Sequence, residues 1–201
     1  MSYKRSTFLS AGRIKQKMRT REILLTTANE LLQQGSRISV AQVAQMAGVS
    51  KTTAYRYFSG AEALVRESSL HLKAQSPDDL FDQVEDDLTI RINRLIDYHF
   101  DLLTQNENEF RLFLSSAIQD SVVNREGYSR AGRRILLIEQ ALRPLKKGTD
   151  INTFRKMVNS ISVVLGIESL TVLKDLSQLS DQEVVDTWRW LIFRIVGLEK
   201  N

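Results

Sequence analysis

Residues 48–58 read GVSKTTAYRYF, and this stretch decides the fold of the segment around it. Gly48 offers the positive φ that a tight turn between two helices needs, and Ser50 is a residue type favoured at a helix N-cap. On a helix at 100° per residue, Ala54 and Phe58 share one face. The stretch therefore predicts a turn followed by a short helix that buries a narrow apolar face.

The opposite face of this short helix is polar and cationic. Thr52 and Arg56 lie opposite the apolar side and are flanked by Thr53 and Tyr55. Hydroxyl and guanidinium groups of this kind reach base edges and phosphates in a DNA major groove. Lys51 lies in the first turn, where its charge and the backbone N–H groups favour phosphate. We predict that the helix contacts DNA, the alternative being an ordinary exposed polar helix.

Flanking residues predict three further helices. Ser39 followed by Gln42 forms a capping-box pattern that opens one helix, and Ser59 to Glu62 forms a second such pattern. The remaining signals are apolar side chains at helical spacing, namely Ile23, Leu24, Thr27, Ala28, Leu31 and Leu32 in the first helix, and Val40, Val43, Ala44 and Ala47 in the second. The chain therefore predicts a helix-turn-helix centred on Gly48.

Charge is distributed unevenly along the chain. Residues 1–75 contain 12 Lys and Arg against 4 Asp and Glu, or +8, whereas residues 76–201 contain 16 against 20, or −4. No acidic residue occurs in residues 1–21, which contain Lys4, Arg5, Arg13, Lys15, Lys17, Arg19 and Arg21. This pattern is typical of a basic arm that binds polyanions, and a solvated tail is the alternative.

Composition argues against several other classes of protein. No cysteine is present, so no disulfide framework, thiolate nucleophile or zinc finger is expected. With two histidines and neither a Gly-x-Ser-x-Gly motif nor a Walker loop, we expect no catalysis, metal or cofactor. The longest apolar runs, such as Ile135–Ile138, are too short to cross a bilayer, and the N-terminus lacks the apolar region of a secretory signal. These features predict a soluble, cytoplasmic protein.

Residues 20–65 resemble the DNA-binding domain of the tetracycline-repressor (TetR) family. The shared pattern comprises the apolar first helix, a serine opening the second, A-x-x-A-G-V-S, the aromatic pair of Y-x-Y-F, and E-A-L at the start of the fourth helix. The resemblance implies that the third helix is a recognition helix. The residues it assigns to DNA are Ser39, Gln42, Ser50, Lys51, Thr52, Thr53, Tyr55, Arg56 and Tyr57.

One position departs from the family pattern. The family often has a lysine at the start of the fourth helix that contacts the DNA backbone, whereas this sequence has Ala61. We expect the basic arm to replace that contact.

The C-terminal two thirds predict helices of less specific character. Helical spacing favours helices over 86–103, 109–118 and 129–145, then two more, the last opened by Ser180 with Glu183 three residues on. The resemblance implies that the last two helices pair with a second subunit, with Ile161, Leu165, Trp188, Leu191, Ile192 and Ile195 as interface candidates. Apolar stripes this wide would equally suit an intrachain bundle.

The resemblance also implies a pocket for a small-molecule effector. Candidate aromatic residues are Tyr98, Phe100, Phe110, Phe113 and Tyr128, with His99, Arg111 and Gln119 as polar neighbours. For each aromatic the alternative is core packing, the commoner role of aromatics at helical spacing. The sequence does not name the ligand.

Together these features predict an all-α protein with a basic arm over 1–18, a helix-turn-helix DNA-binding domain over 19–75, and a helical ligand-binding and dimerisation domain over 76–201. The function implied is a homodimeric repressor that a ligand releases from a palindromic operator on double-stranded DNA. Two-fold symmetry about doubles the contacts that one short recognition helix makes. The alternative is an architectural, replication or division factor of the same fold with no inducer.

Overall fold

The computed structural model describes residues 3–35, 37–123 and 133–198, and within these ranges the chain is helical with no strand. The all-α prediction is confirmed. The α-helices are α1 Tyr3–Gln33, α2 Val40–Met46, α3 Lys51–Tyr55, α4 Ala61–Lys73, α5 Pro77–Phe81, α6 Leu88–Thr104, α7 Glu107–Val123, α8 Arg133–Ala141, α9 Ile151–Val164, α10 Ile167–Thr171 and α11 Asp181–Val196. A 3₁₀ helix covers Arg143–Lys147, and a π-helical turn covers Val172–Leu176.

The chain divides into two compact units. The first comprises Met1–Lys73 and Leu112–Ala131, and the second comprises Ala74–Arg111 and Gly132–Asn201. Helix α7 therefore contributes its first residues to the second unit and the rest to the first, a division that helical periodicity does not indicate. The domain limits given above stay predictions.

Helices α1 to α4 build the core of the first unit. Its buried residues are Leu24, Leu25, Ala28 and Leu31 of α1, Val40, Val43 and Ala44 of α2, and Ala54, Phe58 and Leu64. The sequence pattern places Ile23, and not Leu25, on the apolar face of α1. In the structure Leu25 is buried and Ile23 is 40% exposed. Ile23 lies about 140° around the helix from the buried Ala28, on the solvent side.

Polar contacts also join α1 to α4. Arg21 and Glu67 form a buried, bidentate ion pair, and the Arg21 guanidinium lies 4.8 Å from the centre of the Phe58 ring. Asn29 Nδ2 donates to the Ser68 carbonyl oxygen at 3.0 Å. By sequence Arg21 belongs to the basic run at the N-terminus, but the structure buries its charge against Glu67. Residues 3–18 of the basic arm are helical and continuous with the rest of α1.

The second unit packs α6, α8, α9 and α11 against one another. Its core contains Ile92, Leu95, Ile96, Leu137, Ile138, Phe154, Val158, Val184 and Trp188. Trp188 Nε1 donates to Ser169 Oγ at 2.8 Å, which satisfies the polar atom of a fully buried ring. Helix α11 begins with the predicted capping box, in which Ser180 and Glu183 cap each other.

The interface candidates of α9 and α11 fall into two groups. Ile161, Leu165, Trp188 and Ile192 are fully buried within the chain. A side chain that is buried within one chain has no surface to offer a second subunit. These four side chains therefore pack in the intrachain bundle, which was the alternative to a dimer interface. Leu191 and Ile195 are partly exposed.

A break at Leu165 and Gly166 separates α9 from α10. Arg134 of α8 occupies this break, donating from Nη1 to the Ser162 carbonyl oxygen at 2.8 Å and pairing through Nη2 with Glu168 Oε2 at 3.0 Å. A β-carbon on residue 166 would collide with this guanidinium. Glycine at this position therefore lets an arginine cap the end of α9.

Among the described helices, none alone is long and apolar enough to span a membrane. The pair Ile151–Val164 and Ile167–Leu176 reaches that length and composition only jointly, and it is bent by 43°. Within the same ranges, no group of three or more His, Asp or Glu residues is arranged to bind a metal ion.

Candidate nucleic-acid interface

Two serine side-chain caps and a glycine define the helix-turn-helix formed by α2 and α3. Ser39 Oγ accepts from the Gln42 N–H at 3.1 Å, and Ser50 Oγ accepts from the Thr53 N–H at 3.1 Å. Gly48 adopts φ +66°, the left-handed conformation that the tight turn requires. Both predicted N-caps and the turn at Gly48 are confirmed, and they hold α3 in a defined orientation on α2.

Helix α3 is held by its small buried side. Ala54 and Phe58 have 0% and 2% of their surface exposed, and both belong to the core of the first unit. The Phe58 N–H donates to the Ala54 carbonyl oxygen at 3.0 Å, which continues the helical path past Arg56. A five-residue helix has little stability of its own, so this burial is what keeps it in place.

The outer side of α3 presents the residues that the sequence assigns to DNA. Lys51, Thr52, Tyr55 and Arg56 are exposed, and half of the Tyr55 surface is open to solvent. Of the other predicted residues, Ser39, Gln42 and Ser50 are likewise exposed, whereas Thr53 and Tyr57 are partly buried. Tyr57 packs against the apolar core of the unit, so part of its ring is covered and part remains open to solvent. Contact of these nine residues with DNA stays a prediction.

Positive charge on this surface is not neutralised by the carboxylates that the structure describes. In the part of the chain that the structure describes, no carboxylate forms an ion pair with Lys51 or Arg56. Arg37 is also exposed and without such a pair, two residues before the N-cap of α2. Arg37 was not among the residues predicted to contact DNA, although a cation so close to a helix N-terminus is a signal for phosphate.

A second surface residue was also missed. Met46, in the last turn of α2, is 61% exposed beside the turn. It lies outside the apolar stripe of Val40, Val43, Ala44 and Ala47, which agrees with its exposure.

The geometry is that of a helix-turn-helix DNA-binding domain, with a capped second helix and an exposed polar face. Residues 23–68 match the family model for bacterial regulatory proteins of the tetR family. This match to the helix-turn-helix region supports a TetR family regulator, that is, a transcriptional regulator that binds DNA. No curated protein and no solved structure gives a significant match.

The effector candidates do not form one group. Tyr98 and Phe110 are partly buried in the second unit, whereas Phe113 belongs to the first, and Tyr128 lies outside the described residues. Tyr98 Oη accepts from the Gln75 N–H at 2.9 Å, and burial raises the pKa of this phenol. Phe113 lines a cavity of about 10 Å³, room for about one water molecule.

The polar neighbours of those aromatics have structural partners. His99 is buried and its Nδ1 lies 2.9 Å from the Leu95 carbonyl oxygen, while burial lowers its pKa to about 4. Arg111 forms ion pairs with Glu107 and Asp175. Gln119 lies in a separate polar groove of about 310 Å³ in the first unit, which also contains Ser59, Arg66 and Ser115.

Proposed function

We propose that the protein is a homodimeric repressor in the cytoplasm that binds a palindromic operator and leaves it when a small-molecule effector binds. No catalytic step belongs to this function. The proposal rests on one observation, the exposed outer side of α3, where Lys51 and Arg56 form no ion pair within the described ranges. A rigid helix with hydroxyl, aromatic and guanidinium groups on its open side suits direct readout of base edges.

Individual contacts follow from the chemistry of the side chains. Arg56 is suited to a bidentate contact with guanine O6 and N7, and the methyl group of Thr52 to a thymine methyl. Lys51, Arg37 and the hydroxyl groups of Ser39 and Ser50 are suited to phosphates, which set the register of the helix on DNA.

The homodimer is supported on energetic grounds. One α3 of five residues reads only a few base pairs, so a second copy related by two-fold symmetry is needed for a specific site. Partly exposed Leu191 and Ile195, together with Trp190 at 49% exposure, offer apolar surface on α11 for contact between the two copies.

Release by an effector requires a difference in affinity. The effector must bind the arrangement of the two recognition helices that does not fit the operator more tightly than the one that does, since only differential affinity shifts an equilibrium. To shift the ratio of these two arrangements from 1:99 to 99:1, the effector must prefer one of them by about 5.5 kcal/mol.

Selection of binding sites from random duplex DNA tests the proposal. We expect a palindrome whose half-sites are about one helical turn or more apart. Arg56→Ala should weaken binding to the selected site by about 1–3 kcal/mol and relax the preference at one base pair per half-site. Arg155→Ala, at an exposed arginine of α9 in the second unit, is the control that should leave binding unchanged.

Two outcomes would contradict operator reading. One is the absence of any selected motif, with binding that depends only on salt; this would favour the architectural alternative. The other is an equal loss of affinity for the selected site and for random DNA in Arg56→Ala. This result would mean that Arg56 contacts phosphate and not a base.

A further inference from the structure

Helices α4 and α7 enclose an open polar groove within the first unit. Its volume is about 310 Å³, at the small end of the range of about 300–1,000 Å³ found for ligand sites. Six of its nine lining residues are polar, namely Ser59, Glu62 and Arg66 on the side of α4, and Ser115, Ser116 and Gln119 on α7. All of them belong to the first unit, and we call the space between them the α4–α7 groove.

The α4–α7 groove is accessible from solvent. Five of its nine lining residues are exposed, among them Glu62, Ser115 and Gln119, whereas Arg66 and Ser116 are partly buried. A β-carbon added at Gly60, which also lines the groove, would have no heavy atom of the described chain within 4 Å. A small molecule therefore reaches the groove without any opening of the fold.

The two charged side chains of the groove neutralise each other. Arg66 Nη2 pairs with Glu62 Oε1 at 2.7 Å, and Arg66 Nη1 donates to the Leu112 carbonyl oxygen at 3.1 Å. With one positive and one negative charge, the lining has no net attraction for an ion. A charged ligand would also have to compete with this pair, so the groove favours a neutral ligand.

Polar side chains of α7 add hydrogen-bonding capacity to the groove. In the described part of the chain, the side chains of Ser115, Ser116 and Gln119 form no hydrogen bond with other residues. A hydroxyl group both donates and accepts, and a glutamine amide offers two N–H donors and an acceptor oxygen. Neighbouring groups of this kind match a molecule whose adjacent hydroxyl groups also donate and accept.

We propose that the α4–α7 groove is the effector site and that its ligand is a neutral, polyhydroxylated molecule of the size of a monosaccharide. This inference rests on the proposed release by an effector, for which it names the site and the chemical class. Ala63 and Leu112 give the C–H face of a sugar ring a small apolar surface. An aromatic or fatty effector is a poor fit, because sites for such molecules are lined mainly by apolar side chains.

The position of the groove couples it to the recognition helix. Ser59 and Gly60 line the groove and directly follow Phe58, which is buried in the core that holds α3. The Phe58 N–H donates to the Ala54 carbonyl oxygen of α3 at 3.0 Å. A ligand that binds better when the start of α4 is displaced would therefore act on α3 through Phe58, and such a preference is what effector release requires.

Ligand binding to the full-length chain without DNA tests the site separately from the repressor proposal. The probes are D-glucose, D-galactose and D-mannose, each followed by saturation-transfer-difference NMR. Tetrahydropyran-2-methanol, which has the same ring with a single hydroxyl group, is the control, and L-serine is the charged competitor. We expect saturable binding of at least one sugar, none of the single-hydroxyl analogue, and no displacement by L-serine.

Variants locate the binding in the groove. Ser115→Phe places a ring in the open space and should abolish sugar binding. Gln119→Leu keeps the size of the side chain but removes its amide, and should weaken binding by about three- to tenfold. Ser121→Phe is the matched control, because Ser121 is an exposed serine of the same helix that does not line the groove.

Operator binding tests the effector role. On the operator obtained by site selection, the sugar that binds should lower the affinity of the wild type by about 5- to 150-fold, the usual range of coupling between two sites. Ser115→Phe should bind the operator as tightly as the wild type and no longer respond to the sugar. Ser121→Phe should respond as the wild type does.

Several results would overturn the inference. The ligand class is wrong if none of the three sugars binds saturably, if the single-hydroxyl analogue binds equally well, or if L-serine displaces the sugar. The site is wrong if a correctly folded Ser115→Phe protein, verified by its unfolding transition, binds the sugar as tightly as the wild type. Sugar binding without any change in operator affinity would refute the effector role. Failure to select an operator would instead refute the repressor proposal, and the binding experiment would still decide the ligand class.

Discussion

Polar contacts between single residues join α1 to α4, and the clearest example is the ion pair between Arg21 and Glu67. Both side chains are buried, and Arg21 also lies over Phe58 in the core of the DNA-binding unit. Replacing Glu67 with methionine leaves the guanidinium without its anion, and the expected loss is about 3–5 kcal/mol in the free energy of unfolding. Urea denaturation followed by circular dichroism measures it.

Two further variants separate charge burial from loss of packing. Arg21→Met combined with Glu67→Met should recover most of the stability, because a buried pair replaced by apolar side chains leaves no unpaired charge. Glu62→Gln breaks the pair with Arg66, in which Glu62 is well exposed, and should change stability by less than about 1 kcal/mol. A double variant as unstable as Glu67→Met alone would show that the ion pair itself holds the helices together.

At the scale of elements, a network of five charges joins the first turn of α7 to the π-helical turn and the start of α11. Arg111 pairs with Glu107 at 2.7 Å and with Asp175 at 2.6 Å, and Lys174 pairs with Glu107 at 3.2 Å and with Asp181 at 3.0 Å. The hydrogen bond from Arg111 lowers the pKa of Asp175 despite an opposing effect of burial. Burial acts to raise the pKa of Glu107, but bonds from Arg111 and Lys174 outweigh it and lower the value.

This network predicts a defined pH dependence. A carboxylate whose pKa is lower in the folded state stabilises the fold fully above its unfolded value of about 4, and the contribution is lost as the pH falls through the folded value. Asp175→Asn should therefore destabilise the protein most near pH 7, and the difference from wild type should vanish well below pH 4. Chemical denaturation at pH 7 and pH 3 measures it.

Asp101→Asn serves as the control, because Asp101 belongs to no ion pair in the described part of the chain. Raising the salt concentration at pH 7 should also shrink the effect of Asp175→Asn, since these groups are partly exposed. An Asp175→Asn deficit that persists unchanged at pH 3 would mean that packing, not charge, explains it.

For the whole molecule, the parts of the fold that depend on local chemistry were predictable. Ser39, Ser50 and Gly48 specify caps and a turn within a few residues, so the helix-turn-helix follows from the sequence. Partners distant in sequence, such as Glu67 for Arg21, leave no local signal. Periodicity shows that α11 has an apolar stripe, but not whether Trp188 packs within the chain or against a second copy.

The uneven charge of the whole chain leads to the last prediction. Residues 1–75 carry a net charge of +8, and residues 76–201 carry a net charge of −4. Five of the lysines and arginines lie in residues 1–18. If these cations replace the phosphate contact missing at Ala61, deleting residues 2–18 should weaken DNA binding. The slope of log affinity against log salt should also become shallower by about 0.9 for each phosphate that the shortened chain no longer neutralises.

Because α1 begins at Tyr3, a deletion also shortens a helix, so a second variant is needed. Replacing Lys4, Arg5, Arg13, Lys15 and Lys17 with glutamine keeps the helix-forming chain and removes only the charge. Lys146→Gln with Lys147→Gln, exposed on the 3₁₀ helix of the second unit, is the control for a general loss of positive charge. An unchanged salt slope in the five-glutamine variant would exclude the arm from the DNA contact and leave phosphate neutralisation to cations outside the arm, such as Arg37, Lys51 and Arg56.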